Sequence, residues 1–266
     1  MKNNIQEITE KLEKGVVEVF NSERYRDYLS FMSKFYQYSP NNTLLIYLQM
    51  PTASRVAGYQ AWKTKFNRQV REGEKSIKII APVPHKIINE EEEEEIAWTS
   101  FRVTSVFDIS QTEGDEIPEI VNELNGDVKN FDSLYKKLEE VSPVRIVREN
   151  IDGGAKGFFS NTEKKIVIRE GMSEAQTIKT MIHEISHAIL HNKEDGEEKD
   201  AEREAKEVQA ESVAFVVCNM LGIDTSDYSF GYVAVWSKNK DSKELQKSMK
   251  AIRDTSAKII DSIKVA

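Results

Sequence analysis

Cysteine is nearly absent from this 266-residue chain, which contains only Cys218. A single cysteine cannot form an internal disulfide framework, and it fits a chain that folds in a reducing cytosol. Long apolar runs are also missing: the first twenty residues alternate charged and apolar positions, and no stretch reaches about 18 consecutive apolar residues. We therefore expect a soluble, cytoplasmic protein with no signal peptide, no membrane anchor and no membrane partner.

Negative charge predominates, but it is unevenly distributed. The formal net charge is −8, yet residues 1–88 hold 14 Lys and Arg against 8 Asp and Glu, whereas the remainder holds 23 against 37. Hydrophobic residues make up 39% of the chain, which is enough for a folded core. A basic half joined to an acidic half indicates two different roles, and the basic half is the better candidate for an anionic partner.

A boundary between the two halves is visible in the sequence. Residues 114–127, GDEIPEIVNELNGD, are acidic and contain a proline and two glycines, which is typical of a linker. We therefore predict one domain at 1–113 and a second at 128–266. Helical and strand patterns occur in both, with a β-hairpin after the helices of the first domain, so the expected fold class is α+β.

Histidine is scarce, and three of the four histidines recur at every fourth position in TMIHEISHAILH, residues 180–191. Residues four apart lie about 6 Å apart on one face of a helix, so His183 and His187 can converge on one metal ion. Glu184 lies beside them, where it can accept a proton from a water on that metal. This HExxH pattern predicts a site for one zinc ion, although another divalent metal is possible.

A catalytic zinc site needs a third protein ligand. His191 lies about 12 Å from His183 along a straight helix, and the glycine that would turn the chain back is missing, so we set it aside as a surface or supporting histidine. Glu207 and Glu211 are four residues apart on the next predicted helix. We choose Glu211, because its more apolar neighbours would make an unpaired carboxylate costly, and keep Glu207 as the alternative.

Segments 176–191, 202–217 and 221–237 together resemble the zincin-like metallopeptidase domain of the ImmA/IrrE and ArdC-type groups on bacterial mobile elements. The resemblance runs from about 157 to 238. It implies that His183 and His187 bind zinc and that Glu184 is catalytic, and its Ala-Glu segment supports Glu211. Tyr228 or Tyr232 would either donate a hydroxyl group to an oxyanion or pack in an aromatic cluster.

The strand predicted at 163–169, EKKIVIR, precedes the motif helix. Zinc peptidases commonly bind an extended substrate at an exposed edge strand beside the metal. We therefore weigh two roles for this strand, a substrate-binding edge and an ordinary strand within a sheet.

Residues 24–88 hold 11 Lys and Arg, 3 acidic residues and ten aromatic rings. Cations that follow a backbone, and rings that stack on bases, are typical of single-stranded nucleic-acid binding. Residues 30–84 also resemble the N-terminal single-stranded-DNA-binding domain of ArdC-type antirestriction proteins, and 106–114 resemble its closing strand. Within the matched segment, the candidate DNA contacts are Tyr38, Asn41, Asn42, Arg55, Trp62, Lys63, Arg68 and Lys75.

Together, the two resemblances imply a single-stranded-DNA-binding protein of a mobile element that carries a zinc metallopeptidase-like domain. The expected role is antirestriction or DNA transfer, with hydrolysis of an unidentified protein partner near the DNA. The alternative is a non-catalytic single-stranded-DNA-binding protein in which the metal only stabilises the C-terminal domain.

Overall fold

The computed structural model describes residues 2–20, 24–89, 94–117, 130–191, 200–228, 230–238 and 240–264. The helices within these ranges are α1 (Lys2–Phe20), α2 (Arg24–Lys34), α3 (Pro40–Gln49), α4 (Tyr59–Phe66), α5 (Phe131–Val141), α6 (Glu174–Leu190), α7 (Asp200–Met220), α8 (Val233–Ser237) and α9 (Ser242–Lys264). The strands are β1 (Val56–Ala57), β2 (Arg68–Val70), β3 (Ile77–Asn89), β4 (Glu94–Asp108), β5 (Thr112–Gly114), β6 (Arg145–Glu149), β7 (Gly157–Ser160) and β8 (Lys165–Arg169). Helices and separate sheets occur together, which confirms the predicted α+β class.

The chain forms two compact units, and each is built from two separate segments. The first comprises residues 1–16 and 41–119, and the second comprises 17–40 and 120–266. Residues 17–40 therefore pack with the C-terminal half, although they lie within the predicted N-terminal domain. Of the predicted linker, residues 118–127 lie outside the described residues.

In the first unit, β3 and β4 form an antiparallel hairpin, and β1 pairs with the other edge of β4. A separate two-stranded sheet is formed by β2 and β5. Asp108, at the end of β4, is 1% exposed and accepts backbone N–H bonds from Ser54 at 2.7 Å, Arg55 at 3.0 Å and Ser110 at 3.0 Å. The three hydrogen bonds stabilise the charge of this buried carboxylate and fix the backbone around it. This contact holds the segment before α4 against the hairpin.

In the second unit, α7 is central and packs against α2, α6 and α9. The sheet has the order β6-β8-β7, in which β8 pairs parallel with β6 and antiparallel with β7. The middle strand contains the fully buried, β-branched residues Ile166, Val167 and Ile168, as expected for a strand covered on both faces.

The motif helix α6 begins at Glu174. Ser173 is its N-cap, and the side chain of Ser173 accepts a hydrogen bond from the backbone N–H of Gln176 at 3.3 Å. The side chains of Ile178, Met181, Ile182 and Ile185 on α6 are fully buried, and its polar face carries the histidines. The core of the second unit therefore fixes the orientation of the motif.

Within the part of the chain that the structure describes, no helix is both long and apolar enough to span a lipid bilayer.

Candidate functional site

The two histidines of the motif lie one turn apart on α6 with their rings side by side. His183 Nε2 and His187 Nε2 are 3.1 Å apart, and both side chains are half-buried. Ligand atoms around a tetrahedral zinc with bonds of about 2.0–2.1 Å lie about 3.3–3.4 Å apart. The spacing of the two nitrogen atoms therefore fits joint coordination of one metal ion.

Glu207 of α7 faces this pair. Its Oε1 lies 3.5 Å from His187 Nε2, and its Oε2 lies 3.6 Å from His183 Nε2. One ligand atom from each of the three residues lies within 4.8 Å of the others, a cluster typical of metal ligands. Two imidazole nitrogen atoms and a carboxylate are a donor set that zinc and other first-row divalent metals accept.

The pKa values of His183 and Glu207 are shifted because charged side chains lie close together in this cluster. Hydrogen bonds and charges of His183 and His187 hold the pKa of Glu207 well below its usual range. Burial opposes the charged form of His183, but the nearby carboxylates of Glu207, Glu184 and Glu211 outweigh it and raise the pKa of His183. Both shifts arise because carboxylates and imidazoles lie close together here.

Glu184 lies beside the cluster and is 7% exposed. Burial raises the pKa of Glu184, the positive charges of His183 and His187 act against this shift, and a backbone hydrogen bond from Phe159 of β7 also lowers it. A buried carboxylate with a raised pKa, held beside a candidate metal position, is suited to accept and return a proton.

Glu211, the third ligand chosen from the sequence, has another partner. It lies one turn beyond Glu207 on α7 and accepts a hydrogen bond from the hydroxyl group of Tyr232. The structure thus brings Glu207, rather than Glu211, to the two histidines. Both glutamates were visible as a pair in the sequence, but the register of α7 against α6 was not.

The remaining candidates lie around this centre. His191 is the C-cap residue of α6, with its ring centroid 5.6 Å from that of His187, and it is not part of the three-residue cluster. Tyr228 packs edge-on against Phe215 at 5.6 Å, which matches the packing role considered for it. Tyr232 is 39% exposed, and its hydroxyl group is engaged with Glu211.

The cluster opens into a cleft of about 470 Å³. An ion pair of 2.7 Å joins Lys179 Nζ to Asp227 Oδ1 across the cleft, and Lys156 Nζ donates a hydrogen bond of 2.8 Å to Gln176 Oε1. The cleft is lined by Gly154, Lys156, Gly157, Gln176, Lys179, Thr180, His183, Glu184, Glu207, Glu211, Asp227 and Tyr228.

The strand that lines this cleft is β7, whereas the sequence analysis considered residues 163–169 as the substrate-binding edge. Residues 165–169 form β8, the middle strand, because β6 pairs on one side and β7 on the other. The reading of this strand as a substrate-binding edge is therefore wrong. Among the residues described, β7 pairs with β8 alone, and its Gly157 lines the cleft.

Three of the candidate DNA contacts form hydrogen bonds within the fold. Trp62 is 1% exposed and donates its indole N–H to the Phe107 carbonyl at 2.8 Å. The amide of Asn42 is hydrogen-bonded to the backbone of Ile80, and the Arg68 guanidinium to Thr112. These three side chains are held within the fold.

The other five candidates include both exposed and half-buried side chains. Asn41, Lys63 and Lys75 are exposed, and Arg55 is half-buried. Tyr38 is also half-buried, but it belongs to the second unit rather than the first. The aromatic residues Tyr59 and Phe66 of α4, which the sequence reading did not select, are 47% and 39% exposed.

Comparison with known proteins matches both halves of the chain. Residues 1–118 match the N-terminal domain of anti-restriction factor ArdC, and residues 139–219 match the IrrE N-terminal-like domain. The uncharacterized protein pXO2-81 of Bacillus anthracis is 26% identical over 99% of this chain. That alignment covers 52% of the relative, so the chain spans about half the length of the curated protein that it matches.

Two solved structures share the fold. The metal-free crystal structure of the antirestriction ArdC protein from plasmid R388 has a TM-score of 0.56, with 19% identity and 85% coverage of each chain. Its Mn(II)-bound structure has a TM-score of 0.57, with 18% identity and 86% coverage of each chain.

The chain is therefore a two-domain protein that joins an ArdC-type N-terminal domain to an IrrE-like C-terminal domain. Both matches and the shared fold make the chain similar to the ArdC-type antirestriction proteins.

Proposed function

We propose that this protein binds single-stranded DNA through its N-terminal half and carries a metal-dependent peptidase centre in its C-terminal half. The proposed role is antirestriction or DNA transfer. The observation that carries the peptidase proposal is the convergence of His183, His187 and Glu207, with Glu184 buried beside them.

His183, His187 and Glu207 would hold one divalent metal, with Glu207 in the position that the sequence reading gave to Glu211. Their donor set suits zinc, and the Mn(II)-bound ArdC structure from plasmid R388 makes manganese a second choice to test. When bound, such a metal polarises a substrate carbonyl and makes a coordinated water more acidic.

Glu184 is the proposed general base. Its carboxylate is buried beside the ligands, and its raised pKa brings it closer to the pH at which a base both accepts and returns a proton. The backbone N–H of Phe159 on β7 faces this carboxylate and favours its charged form.

A peptide is the substrate class that the cleft favours. In the described part of the chain, one edge of β7 is not paired with another strand, and Gly157 of this strand lines the cleft beside Glu184. An extended peptide can add to such an edge through main-chain hydrogen bonds, which would carry its backbone along the cleft.

DNA binding is proposed for the N-terminal half. The match to the ArdC N-terminal domain and the similarity in fold to the antirestriction ArdC protein of plasmid R388 support it. So does the local charge, since residues 55–78 contain seven Lys and Arg and two Glu.

Glu184→Gln tests the peptidase proposal, with Glu174→Gln, an exposed glutamate of the same helix, as the matched control. We expect Glu184→Gln to retain metal and single-stranded-DNA binding but to lose cleavage of a quenched-fluorescence peptide mixture. The control should behave like the wild type in all three measurements.

The same variants also separate the two functions in cells. If protection of a transferred plasmid from restriction survives Glu184→Gln, hydrolysis is not the basis of antirestriction. The non-catalytic alternative, with DNA binding in the N-terminal half and a structural metal in the C-terminal half, would then replace the peptidase proposal.

A further inference from the structure

Helix α4 presents two aromatic rings and a cation along one line of its surface. Tyr59, Lys63 and Phe66 are separated by four and three residues, which places them within about 60° of one another around the helix axis. Tyr59 is 47% exposed, Phe66 is 39% exposed and Lys63 is also exposed. These three residues are called the α4 stripe.

Both rings of the α4 stripe are fixed by residues beneath them. The Tyr59 ring centroid lies 6.3 Å from that of Phe107, and the Phe66 centroid lies 5.1 Å from that of Trp62. Trp62 is itself held by its hydrogen bond to the Phe107 carbonyl. Each ring therefore exposes part of its surface to solvent while its position is held by its neighbour. A ring that is already held loses less conformational entropy when a ligand binds.

The lysine side chains of α4 can contact an anionic ligand at the α4 stripe. Lys63 and Lys65 occupy the last turn of α4, and neither forms an ion pair with any residue that the structure describes. Arg68 and Arg71, next along the chain, are instead engaged with Thr112 and Glu74. Lys63 and Lys65 are thus available to an anionic ligand on the helix that carries the exposed rings.

We propose that the α4 stripe is the platform on which unpaired bases of single-stranded DNA stack, with Lys63 contacting the phosphate backbone. This inference rests on the proposed DNA binding and assigns its surface. Aromatic faces accept any base, so binding would tolerate changes of sequence. Bases within a duplex are stacked on each other and cannot reach the rings, so single strands would bind more tightly than duplex DNA.

The first test measures binding of a fluorescein-labelled oligothymidylate to the full-length protein by anisotropy. Tyr59→Ala and Phe66→Ala should each weaken binding about 5- to 100-fold, the range for losing one stacked base. Tyr59→Phe keeps the ring and should bind within about twofold of the wild type. Phe101→Ala is the matched control, because Phe101 is a 57% exposed ring of the same unit, on β4.

The second test uses charge and does not disturb ring packing. Lys63→Ala should lower the slope of log affinity against log salt by about 0.7, the value for one contact to a single-stranded phosphate. The two ring variants should leave that slope unchanged. Lys14→Ala on α1, an exposed lysine of the same unit, should change neither affinity nor slope.

The outcomes separate this inference from the proposal beneath it. If the wild-type protein does not bind the oligonucleotide, the proposed DNA binding itself fails. If the wild type binds while Tyr59→Ala, Phe66→Ala and Lys63→Ala bind equally well, the α4 stripe is not the binding surface. Competition by duplex DNA equal to that by the single strand would overturn the stacking role.

Discussion

Tyr232 donates its hydroxyl hydrogen bond to Glu211, which lies one helical turn beyond Glu207 on α7. Glu211 therefore has a partner other than a metal, and Glu207 is the carboxylate left facing His183 and His187. Burial raises the pKa of Glu211, and the Tyr232 hydrogen bond offsets part of that shift.

Substituting each glutamate in turn tests this division of roles. Glu207→Gln should weaken zinc or manganese binding at least about 100-fold, because losing even an outer partner of a ligand costs 10- to 100-fold. Glu211→Gln should change the affinity less than about tenfold. Competition with a chromophoric chelator measures both, and the reverse order would assign the metal to Glu211.

Adding metal should raise the thermal stability of the full-length protein. A ligand at about 100 times its dissociation constant stabilises the native state by about 2.7 kcal/mol if the unfolded chain does not bind it. His187→Ala should abolish most of this gain. His191→Ala should retain it, because His191 lies outside the cluster, and differential scanning calorimetry with and without metal distinguishes the two.

Gly157→Ala should destabilise the protein by about 1–3 kcal/mol, the usual cost of an extra methyl group in a packed site. A Cβ atom at Gly157 would lie 2.7 Å from Thr180 Cγ2 and 2.9 Å from the carbonyl oxygen of Val167. Gly154→Ala is the control, because a Cβ there meets nothing within 4 Å. Equal urea midpoints for the two variants would contradict the close approach of β7 to α6.

The Lys179–Asp227 pair should respond asymmetrically to substitution. The side chain of Lys179 is 11% exposed and that of Asp227 is 53% exposed. Asp227→Asn leaves a nearly buried ammonium group with a weaker partner and should cost about 1–3 kcal/mol, whereas Lys179→Met leaves an exposed carboxylate and should cost less. Lys250→Met breaks an exposed pair with Asp254, so its effect on urea unfolding should stay within about 0.5 kcal/mol.

The motif helix could be predicted because its signals are local. The spacing of His183, Glu184 and His187 depends only on helical geometry. Glu207 and Glu211 share one face of α7, so helical periodicity could not separate them. Apolar neighbours favoured Glu211 in the sequence, but the Tyr232 hydroxyl, twenty-one residues away, is what that carboxylate contacts.

Long-range pairing decided the features that the sequence did not reveal. Residues 165–169 read as a strand, but their central place depends on β6 and β7 pairing on opposite sides. Trp62 and Tyr59 are both aromatic residues in a basic segment. The contact of α4 with the hairpin buries Trp62 and leaves Tyr59 half exposed, so the tryptophan among the candidate DNA contacts is a core residue.

The interleaving of the two compact units has a genetic consequence. The first uses residues 1–16 and 41–119 and the second 17–40 and 120–266, so no single cut in the chain separates them. A recombination crossover at one point would divide the core of at least one unit, since residues 17–40 include the buried side chains of Tyr25, Tyr28, Leu29 and Met32. The two halves therefore cannot be exchanged as independent cassettes, and a hybrid gene would have to inherit residues 17–40 together with the candidate metal centre.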